Sequence, residues 1–149
     1  PLRVVVDSRL ETPPTAKLLA PPGAVLIYAA QPHAEREAAL RAAGAEIAYQ
    51  PGAGGKVDLA AMLADLAKRG VNELHVEAGH KLNGSLVREG LVDEFLVYMA
   101  PRLLGIGREL AAFGPLTRLE DTLDLRWTSI ERIGDDLRLI ARAPGREDF

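Results

Sequence analysis

The sequence predicts an α/β fold in which helices flank a mixed, mostly parallel sheet and an antiparallel hairpin closes the chain. Two features of the pattern support this prediction. Apolar, β-branched runs alternate with segments whose apolar residues recur at helical spacing, which is typical of βαβ units. Near the end of the chain, two strand-like runs meet at Gly134-Asp135, a typical hairpin turn. The 149 residues fit one domain with a sizeable core, covering residues 1–149.

The first half of the chain is predicted to hold three strands and two helices. The strands, which are apolar and rich in β-branched residues, cover residues 2–7, 24–28 and 46–49. One helix begins at Pro32, because proline suits a first helical turn, and ends before Gly44. The other begins after Asp58, a good N-cap, and ends before Gly70.

The second half is predicted to hold one helix and four strands. The predicted strands cover residues 74–77, 94–99, 125–133 and 136–141, and the helix covers residues 81–89. Gly90 is the expected stop of that helix. Residues 103–119 are rich in glycine and lack a period, so we expect irregular structure there. We expect residues 145–149 to be frayed.

The stretch from Leu74 to Gly90 is the part of the chain best suited to binding a ligand. A strand that ends at Glu77 is followed by Ala78 and Gly79, and a helix begins shortly afterwards. Small residues let a ligand approach the backbone, and the unpaired amides of a first helical turn attract phosphate. The pattern therefore indicates a nucleotide or phosphorylated ligand with Glu77 beside it. The alternative is a tight turn that carries an exposed glutamate.

Composition excludes several other classes of protein. A net charge of −3 argues against a protein that binds nucleic-acid backbone, and the absence of cysteine excludes disulfides and thiolate chemistry. No apolar span is long enough for a membrane helix and no signal-peptide pattern occurs, so we expect no membrane partner and a cytoplasmic location. The sequence starts at Pro1 and runs directly into a strand, so we expect a fragment or an excised domain.

Four motifs follow one another in the second half of the chain. They are Val76-Glu77-Ala78-Gly79, Leu82-Asn83-Gly84-Ser85-Leu86, Gly90-Leu91-Val92-Asp93-Glu94 and Tyr98-Met99-Ala100-Pro101-Arg102-Leu103-Leu104-Gly105. With Leu-Arg-Val-Val-Val-Asp-Ser-Arg-Leu-Glu-Thr at residues 2–12, they resemble the riboflavin-biosynthesis pyrimidine reductases. These are 5-amino-6-(5-phosphoribosylamino)uracil reductase domains, often fused behind a pyrimidine deaminase. The likeness covers residues 2–141.

This resemblance implies a dihydrofolate-reductase-like fold and an oxidoreductase that uses NADPH. It implies that the ribosyl group of a small pyrimidine substrate is reduced to a ribityl chain by hydride delivery to the anomeric carbon, through a ring-opened imine. It also implies a homodimer and a fused or separate deaminase partner. Cofactor preference rests on the resemblance alone, because no arginine pair for a 2′-phosphate is evident after Ala29-Ala30-Gln31.

The resemblance also assigns the site. Glu77 corresponds to the glutamate that contacts the substrate, and we take it as the catalytic residue. Ser8, after the first strand, corresponds to a position that contacts NADPH. The cofactor-binding turn and helix start correspond to Gly79, His80, Lys81, Leu82, Asn83, Gly84 and Ser85. Positioning of the nicotinamide against an electrophilic carbon supplies much of the rate in such a reaction, and a helix N-terminus suits the pyrophosphate.

The chain departs from the family in two respects. Family members carry, before the segment that matches Leu2, further strands and residues that touch both ligands. We therefore expect the 149-residue chain alone to be inactive or weak. Ala78 stands where glycine is common, a change that should leave the turn usable.

Several residues have alternatives that the sequence leaves open. We expect His75 to be a packed core histidine, whereas His80 either touches phosphate or is simply exposed. We expect no metal site, because the three histidines are separated. Trp127 could stack on the substrate, but we expect it in the core or in a subunit interface. Besides the pyrimidine reductase, the sequence allows a reductase of the same fold for another pterin-like or pyrimidine substrate, or a non-catalytic dimerisation module.

Overall fold

The computed structural model describes residues 1–146, and it divides the chain into two compact units, Pro1–Leu74 and His75–Phe149. Of the residues predicted to fray, 145–149, Gly145 and Arg146 belong to no helix or strand, and the Arg146 guanidinium lies 3.0 Å from the Asp93 carboxylate. The rest of that prediction concerns residues 147–149, which lie outside the described residues.

The elements follow the predicted order, with one exception discussed below. Their bounds are β1 Arg3–Val6, β2 Val25–Ala29, α1 Ala34–Ala42, β3 Ala45–Tyr49, α2 Leu59–Lys68, α3 His80–Arg88, β4 Glu94–Met99, β5 Arg126–Ile133 and β6 Asp136–Arg142. Short 3-10 turns lie at Lys17–Leu19, Ala53–Gly55 and Leu119–Asp121. Residues 103–118 contain no helix or strand, as predicted.

The first unit is built on a parallel sheet of order β1-β2-β3. Every residue of the central strand β2 is buried, because both faces of a parallel sheet are covered. Ile27 of β2 pairs with Val5 and Ile47 on either side, so apolar side chains meet in register. Other members of this core are Leu10, Leu19, Val25, Leu40 and Ala45.

Local signals end both helices of this unit and begin α2 as predicted, but the predicted helix start at Pro32 is wrong, because α1 begins at Ala34 with His33 as its N-cap. The Asp58 carboxylate accepts a hydrogen bond of 2.8 Å from the Ala61 amide and so caps α2. Gly44 and Gly70, after α1 and α2, have φ angles of 93° and 86°, which glycine adopts without a Cβ penalty. His33 caps α1 through Nδ1, which accepts from the Arg36 amide at 3.4 Å.

A polar network fixes α2 against the sheet. The hydroxyl of Tyr28, which is fully buried on β2, donates a 2.6 Å hydrogen bond to the Asp65 carboxylate of α2. Arg69 donates to the same carboxylate at 2.7 Å and to Glu46 on β3 at 2.7 Å. The buried phenol therefore has an acceptor, which a buried hydroxyl requires.

The second unit is built on an antiparallel sheet of order β4-β6-β5. The predicted hairpin is confirmed: Ile133 pairs with Asp136, and Gly134 between them has a φ of 63°. Because side chains alternate along each strand, one face of this sheet carries an apolar set. This apolar sheet face consists of Phe95, Val97, Met99, Trp127, Ile130, Leu137, Leu139 and Ala141.

The α/β fold class is confirmed, but the strand predicted over residues 74–77 is wrong. Residues 71–79 form neither strand nor helix, and the described residues hold two three-stranded sheets rather than one mixed sheet. A strand exists only where its amides and carbonyls pair with a neighbouring strand, and no strand of residues 1–146 pairs with this segment. Its apolar pattern could not reveal that missing partner.

Within the described part of the chain, no helix is both long enough and apolar enough to span a bilayer.

Candidate functional site

The predicted site residues fall into two groups, one in each unit. Glu77 and the segment Gly79–Ser85 belong to the second unit, whereas Ser8 belongs to the first. The first group forms a bend that leads into α3, and the second lies at the carboxyl end of β1.

Glu77 lies just before the bend, with its side chain 84% exposed. Its carboxylate Oε1 is 3.2 Å from Nε2 of His75, whose side chain is 64% exposed. The prediction of a packed core histidine at position 75 is therefore wrong. The sequence suggested burial because apolar residues flank His75, but this segment is not held in a sheet whose face would cover it. The carboxylate of Glu77 is exposed to solvent, and its contact with a substrate stays a prediction.

Gly79 is the N-cap residue of α3 and leaves open space at the bend. Its φ of −74° and ψ of 160° suit any residue. A Cβ placed on Gly79 would have no atom of the described residues within 4 Å. Neither backbone strain nor packing therefore requires glycine at this position. Glycine is also a favoured N-cap residue, and its missing side chain lets a ligand approach the backbone closely.

The first turn of α3 presents donors beside this space. The amides of a first helical turn have no acceptor four residues earlier, which gives the N-terminus its attraction for anions. In α3 these residues are His80, Lys81 and Leu82, of which Lys81 is exposed and the other two are half-buried. A phosphate at the bend would meet these amides and the Lys81 charge.

Asn83 and Gly84 instead pack against a segment of their own unit. The Asn83 amide Nδ2 donates to the carbonyls of Ala78 at 3.3 Å and Leu110 at 3.1 Å. The Ala112 amide donates to the His80 carbonyl at 2.8 Å. A Cβ on Gly84 would overlap the Ala112 backbone, so this buried glycine allows the close approach. The segment 110–112 therefore braces α3.

Ser85 also turns to its own helix. Its hydroxyl donates to the Lys81 carbonyl at 3.2 Å. Sequence reasoning missed the bracing segment because residues 103–119 have no period that predicts a partner. Direct contact of Asn83, Gly84 and Ser85 with a cofactor stays a prediction, and the structure gives each of them a structural contact as well.

Ser8 sits where three loops of the first unit meet. Its carbonyl accepts from the amides of Ala30 at 3.1 Å and Gln31 at 2.9 Å, which follow β2. Its hydroxyl accepts from the Val57 amide at 3.2 Å. The Gln31 side chain in turn donates to the Gly55 carbonyl at 3.2 Å. Ser8 thus joins the loops at the carboxyl end of the parallel sheet, where open α/β sheets bind ligands.

The loop after β1 is held in one conformation by Asp7. Its carboxylate accepts from both the amide and the hydroxyl of Thr12 at 2.7 Å and from the Arg9 amide at 3.4 Å. Partial burial alone would raise the pKa of Asp7. The Thr12 hydroxyl and the backbone amides outweigh it and hold that pKa below its ordinary value of 3.8. Leu10 is 1% exposed and has a φ of 55°, a rare conformation for leucine.

Other features of the described residues lie apart from these groups. An open concavity is lined by Arg118, Leu119, Glu120, Thr122 and Asp124, none of which is a predicted site residue. Among residues 1–146, no three histidine or acidic side chains are grouped so that they could hold a metal ion.

The chain is similar to proteins of riboflavin biosynthesis. The family model "RibD C-terminal domain" matches residues 1–139. Riboflavin biosynthesis protein RibD of Escherichia coli is 34% identical over 146 residues, which cover 93% of this chain and 37% of that protein. The 2,5-diamino-6-ribosylamino-4(3H)-pyrimidinone 5′-phosphate reductase of Archaeoglobus fulgidus is 34% identical over 148 residues, covering 95% of this chain and 63% of that protein.

A solved structure agrees with this likeness. Acinetobacter baumannii RibD, form 1, superposes with a TM-score of 0.78 at 26% identity, covering 95% of this chain and 37% of that one. The chain thus spans little more than a third of the RibD proteins that it matches. The match of the family model over most of the sequence confirms the resemblance found in its motifs, and the chain belongs to the RibD C-terminal domain family.

Proposed function

We propose that this chain forms part of an NADPH-dependent reductase that converts the ribosyl group of 5-amino-6-(5-phosphoribosylamino)uracil to the ribityl form. The family and the reductase name of the Archaeoglobus fulgidus relative support this proposal. The observation that carries it is the exposed Glu77 carboxylate beside an open bend at the N-terminus of α3.

The bend fits a dinucleotide phosphate. Gly79 leaves space that no atom of the described residues fills, and the first-turn amides of α3 supply donors. Gly79, His80, Lys81 and Leu82 would hold the pyrophosphate. For Ser8 of the first unit, contact with NADPH is a separate prediction that rests on the family resemblance. Asn83 would act by holding the bend through the Ala78 carbonyl.

The reduced nicotinamide supplies the hydride, and the chain's own residues supply position and charge. Glu77 would accept hydrogen bonds from a substrate amine or ribosyl hydroxyl and stabilise positive charge that develops as the ring opens. The carboxylate has one neighbour of note, the His75 imidazole at 3.2 Å, so its oxygens retain acceptor capacity for a substrate.

A non-catalytic module is the second candidate, because residues 1–146 do not enclose the Glu77 carboxylate. Positioning catalysis needs a site that orients the substrate and excludes water, whereas the Glu77 side chain is 84% exposed. The same observation agrees with weak turnover by the 149-residue chain alone. A reductase of this fold for a different pterin-like or pyrimidine substrate would use the same bend and the same carboxylate.

Two partners complete the proposal. A pyrimidine deaminase, fused or separate, would supply the substrate, as the membership of the RibD C-terminal domain family suggests. A second copy of the chain would cover exposed members of the apolar sheet face, since Met99, Trp127 and Ile130 are 51%, 58% and 60% exposed. The expected core position of Trp127 is therefore wrong, whereas its interface position is part of this proposal.

The direct test is turnover of the phosphoribosylaminouracil with NADPH, followed by the absorbance of the reduced nicotinamide. We expect turnover by the gene product that carries this sequence, and weak or no turnover by the 149-residue chain. Dihydrofolate serves as the control substrate, because a reductase of the proposed specificity should leave it unchanged. Turnover of neither substrate by the gene product would favour the non-catalytic module.

A further inference from the structure

At the carboxyl end of the parallel sheet, the side chain of Arg36 contacts the backbone of a second arginine, Arg9. Arg9 lies in the loop after β1, and Arg36 lies in the first turn of α1, after β2. The Arg36 Nη1 donates a 3.1 Å hydrogen bond to the Arg9 carbonyl, so the Arg36 side chain reaches across to that loop. This hydrogen bond joins Arg36 to a residue 27 positions earlier in the chain, a contact that no sequence pattern predicts.

The backbone that carries Arg9 is held firmly. Asp7 accepts hydrogen bonds from Arg9 and Thr12, and Leu10 is buried at a positive φ. The adjacent Ser8 carbonyl is bonded to the loop after β2. A residue held at a rare φ persists only where its surroundings over-determine it, so the Arg9 side chain projects from a preorganised loop.

The charge of this pair is available to an anion. Arg9 is 60% exposed and has one ion pair, with an equally exposed Glu11 at 3.4 Å. Such a surface pair contributes little and exchanges readily. Arg36 makes no ion pair among residues 1–146, and one hydrogen bond to a neutral carbonyl leaves most of its donors unused. Glu35 beside it opposes an anion, which limits the expected effect.

We propose that Arg9 and Arg36 bind the 2′-phosphate of the adenosine ribose and so make the chain select NADPH over NADH. This proposal rests on the proposed function, because it names residues for one part of its cofactor. Guanidinium groups form charge-assisted, forked hydrogen bonds to phosphate, and a pair of them suits a dianionic group. NADH carries a hydroxyl at that position and gains nothing from either arginine.

The test uses two nucleotides that lack the nicotinamide, 2′,5′-ADP and 5′-AMP, titrated calorimetrically into the 149-residue chain. We expect 2′,5′-ADP to bind about tenfold tighter than 5′-AMP, the effect of one net charged hydrogen bond. In Arg9→Gln and in Arg36→Gln this ratio should fall toward one, with the affinity for 5′-AMP unchanged. Arg36→Lys keeps the positive charge, so this variant should retain part of the preference for 2′,5′-ADP over 5′-AMP.

Lys68→Gln is the matched control, because it removes the same charge from the exposed end of α2. Its ratio should equal that of the parent chain. Circular dichroism of each variant establishes that the fold is kept. Three outcomes would overturn the proposal. The parent chain could bind both nucleotides with equal affinity, or it could bind neither. The ratio of the two affinities could also stay unchanged in both arginine variants.

The two proposals fail separately. The gene product could turn over its substrate while the double variant Arg9→Gln/Arg36→Gln keeps the parent's ratio of kcat/KM for NADPH to kcat/KM for NADH. In that case the arginine assignment is wrong and the reductase function stands. If 2′,5′-ADP binding depends on the arginines but no turnover occurs, the anion site stands and the reductase function fails.

Discussion

The side-chain amide of Asn83 donates to the carbonyl of Ala78 at 3.3 Å and thereby ties α3 to the residue that follows Glu77. The same amide also donates to the Leu110 carbonyl at 3.1 Å. One side chain thus fixes the bend from within and connects it to the segment that braces it. The shape of the proposed phosphate site depends on this amide.

Asn83→Ala should loosen the bend. Loss of two neutral hydrogen bonds should lower the free energy of unfolding by about 1–2 kcal/mol, which urea denaturation measures. Hydrogen exchange should show faster opening at the start of α3. Ser85→Ala is the control, because the Ser85 hydroxyl bonds within its own helix, donating to the Lys81 carbonyl at 3.2 Å and accepting from Arg88 Nη2 at 3.3 Å, so stability should fall less than in Asn83→Ala. Equal effects of the two substitutions would contradict the bracing role of Asn83.

Two glycines of the same stretch should respond differently to alanine. Gly84→Ala drives a methyl group into the Ala112 backbone and should cost about 1–3 kcal/mol of folding stability. Gly79→Ala meets no atom of the described residues outside its own chain neighbours and should cost only the smaller loss of a preferred N-cap residue, about 0.5–1 kcal/mol, while it weakens binding of NADPH. Thermal unfolding and nucleotide titration of both variants measure these effects. A stable Gly84→Ala variant, or unaltered NADPH binding by Gly79→Ala, would contradict the assigned roles.

The first unit should lose stability in acid partly through Asp65. Hydrogen bonds from Tyr28 and Arg69 hold the pKa of Asp65 below its ordinary value of 3.8. A carboxyl with a lowered folded-state pKa stabilises the fold above its unfolded pKa, and that stabilisation disappears as the pH falls through the folded value. Asp65→Asn should therefore flatten the decline in stability below about pH 4.

Hydrogen exchange of the β2 amides at several pH values measures this effect within the first unit. Glu73→Gln is the control, because Glu73 is exposed and makes no ion pair within residues 1–146. Its pH profile should match that of the parent chain. A steep acid decline retained in Asp65→Asn would show that other groups govern it.

The apolar sheet face offers a test of the proposed dimer. Ile130 and Tyr98 are each 60% exposed but lie on opposite faces, since Ile130 pairs with Leu139 and Tyr98 with Arg138. Ile130→Lys should shift sedimentation toward the monomer, whereas Tyr98→Lys should not. A monomeric parent chain, or dissociation by Tyr98→Lys alone, would contradict the dimer proposed on this face.

Local signals in the sequence predicted most elements, because each signal acts within a few residues. Asp58 caps α2, glycines with positive φ follow the helices, and Gly134 turns the hairpin. The strand predicted over residues 74–77 failed because pairing depends on a distant partner. The exposure of His75 followed from the same missing partner.

The site divides in the same way. The open bend was predictable from small residues before a helix, since that feature is local, whereas the exposure of Glu77 fits both the ligand site and its alternative, a tight turn with an exposed glutamate. The bracing of α3 by residues 110–112 and the joining of Arg9 to Arg36 were not. Both depend on contacts between segments 27 or more residues apart, to which neither periodicity nor a local motif points.

The central claim is that Glu77 contacts the substrate while the bend holds the cofactor. Its most direct test combines titration of NADPH into the Glu77→Gln variant with measurement of substrate turnover by the gene product that carries this substitution. Glu77 is exposed, so the substitution should leave folding intact and keep NADPH affinity within about twofold, because the bend and not the carboxylate holds the phosphates. We expect kcat/KM for the pyrimidine substrate to fall at least about a hundredfold. Unchanged turnover would remove Glu77 from the site, and loss of NADPH binding would contradict the division between the carboxylate and the bend.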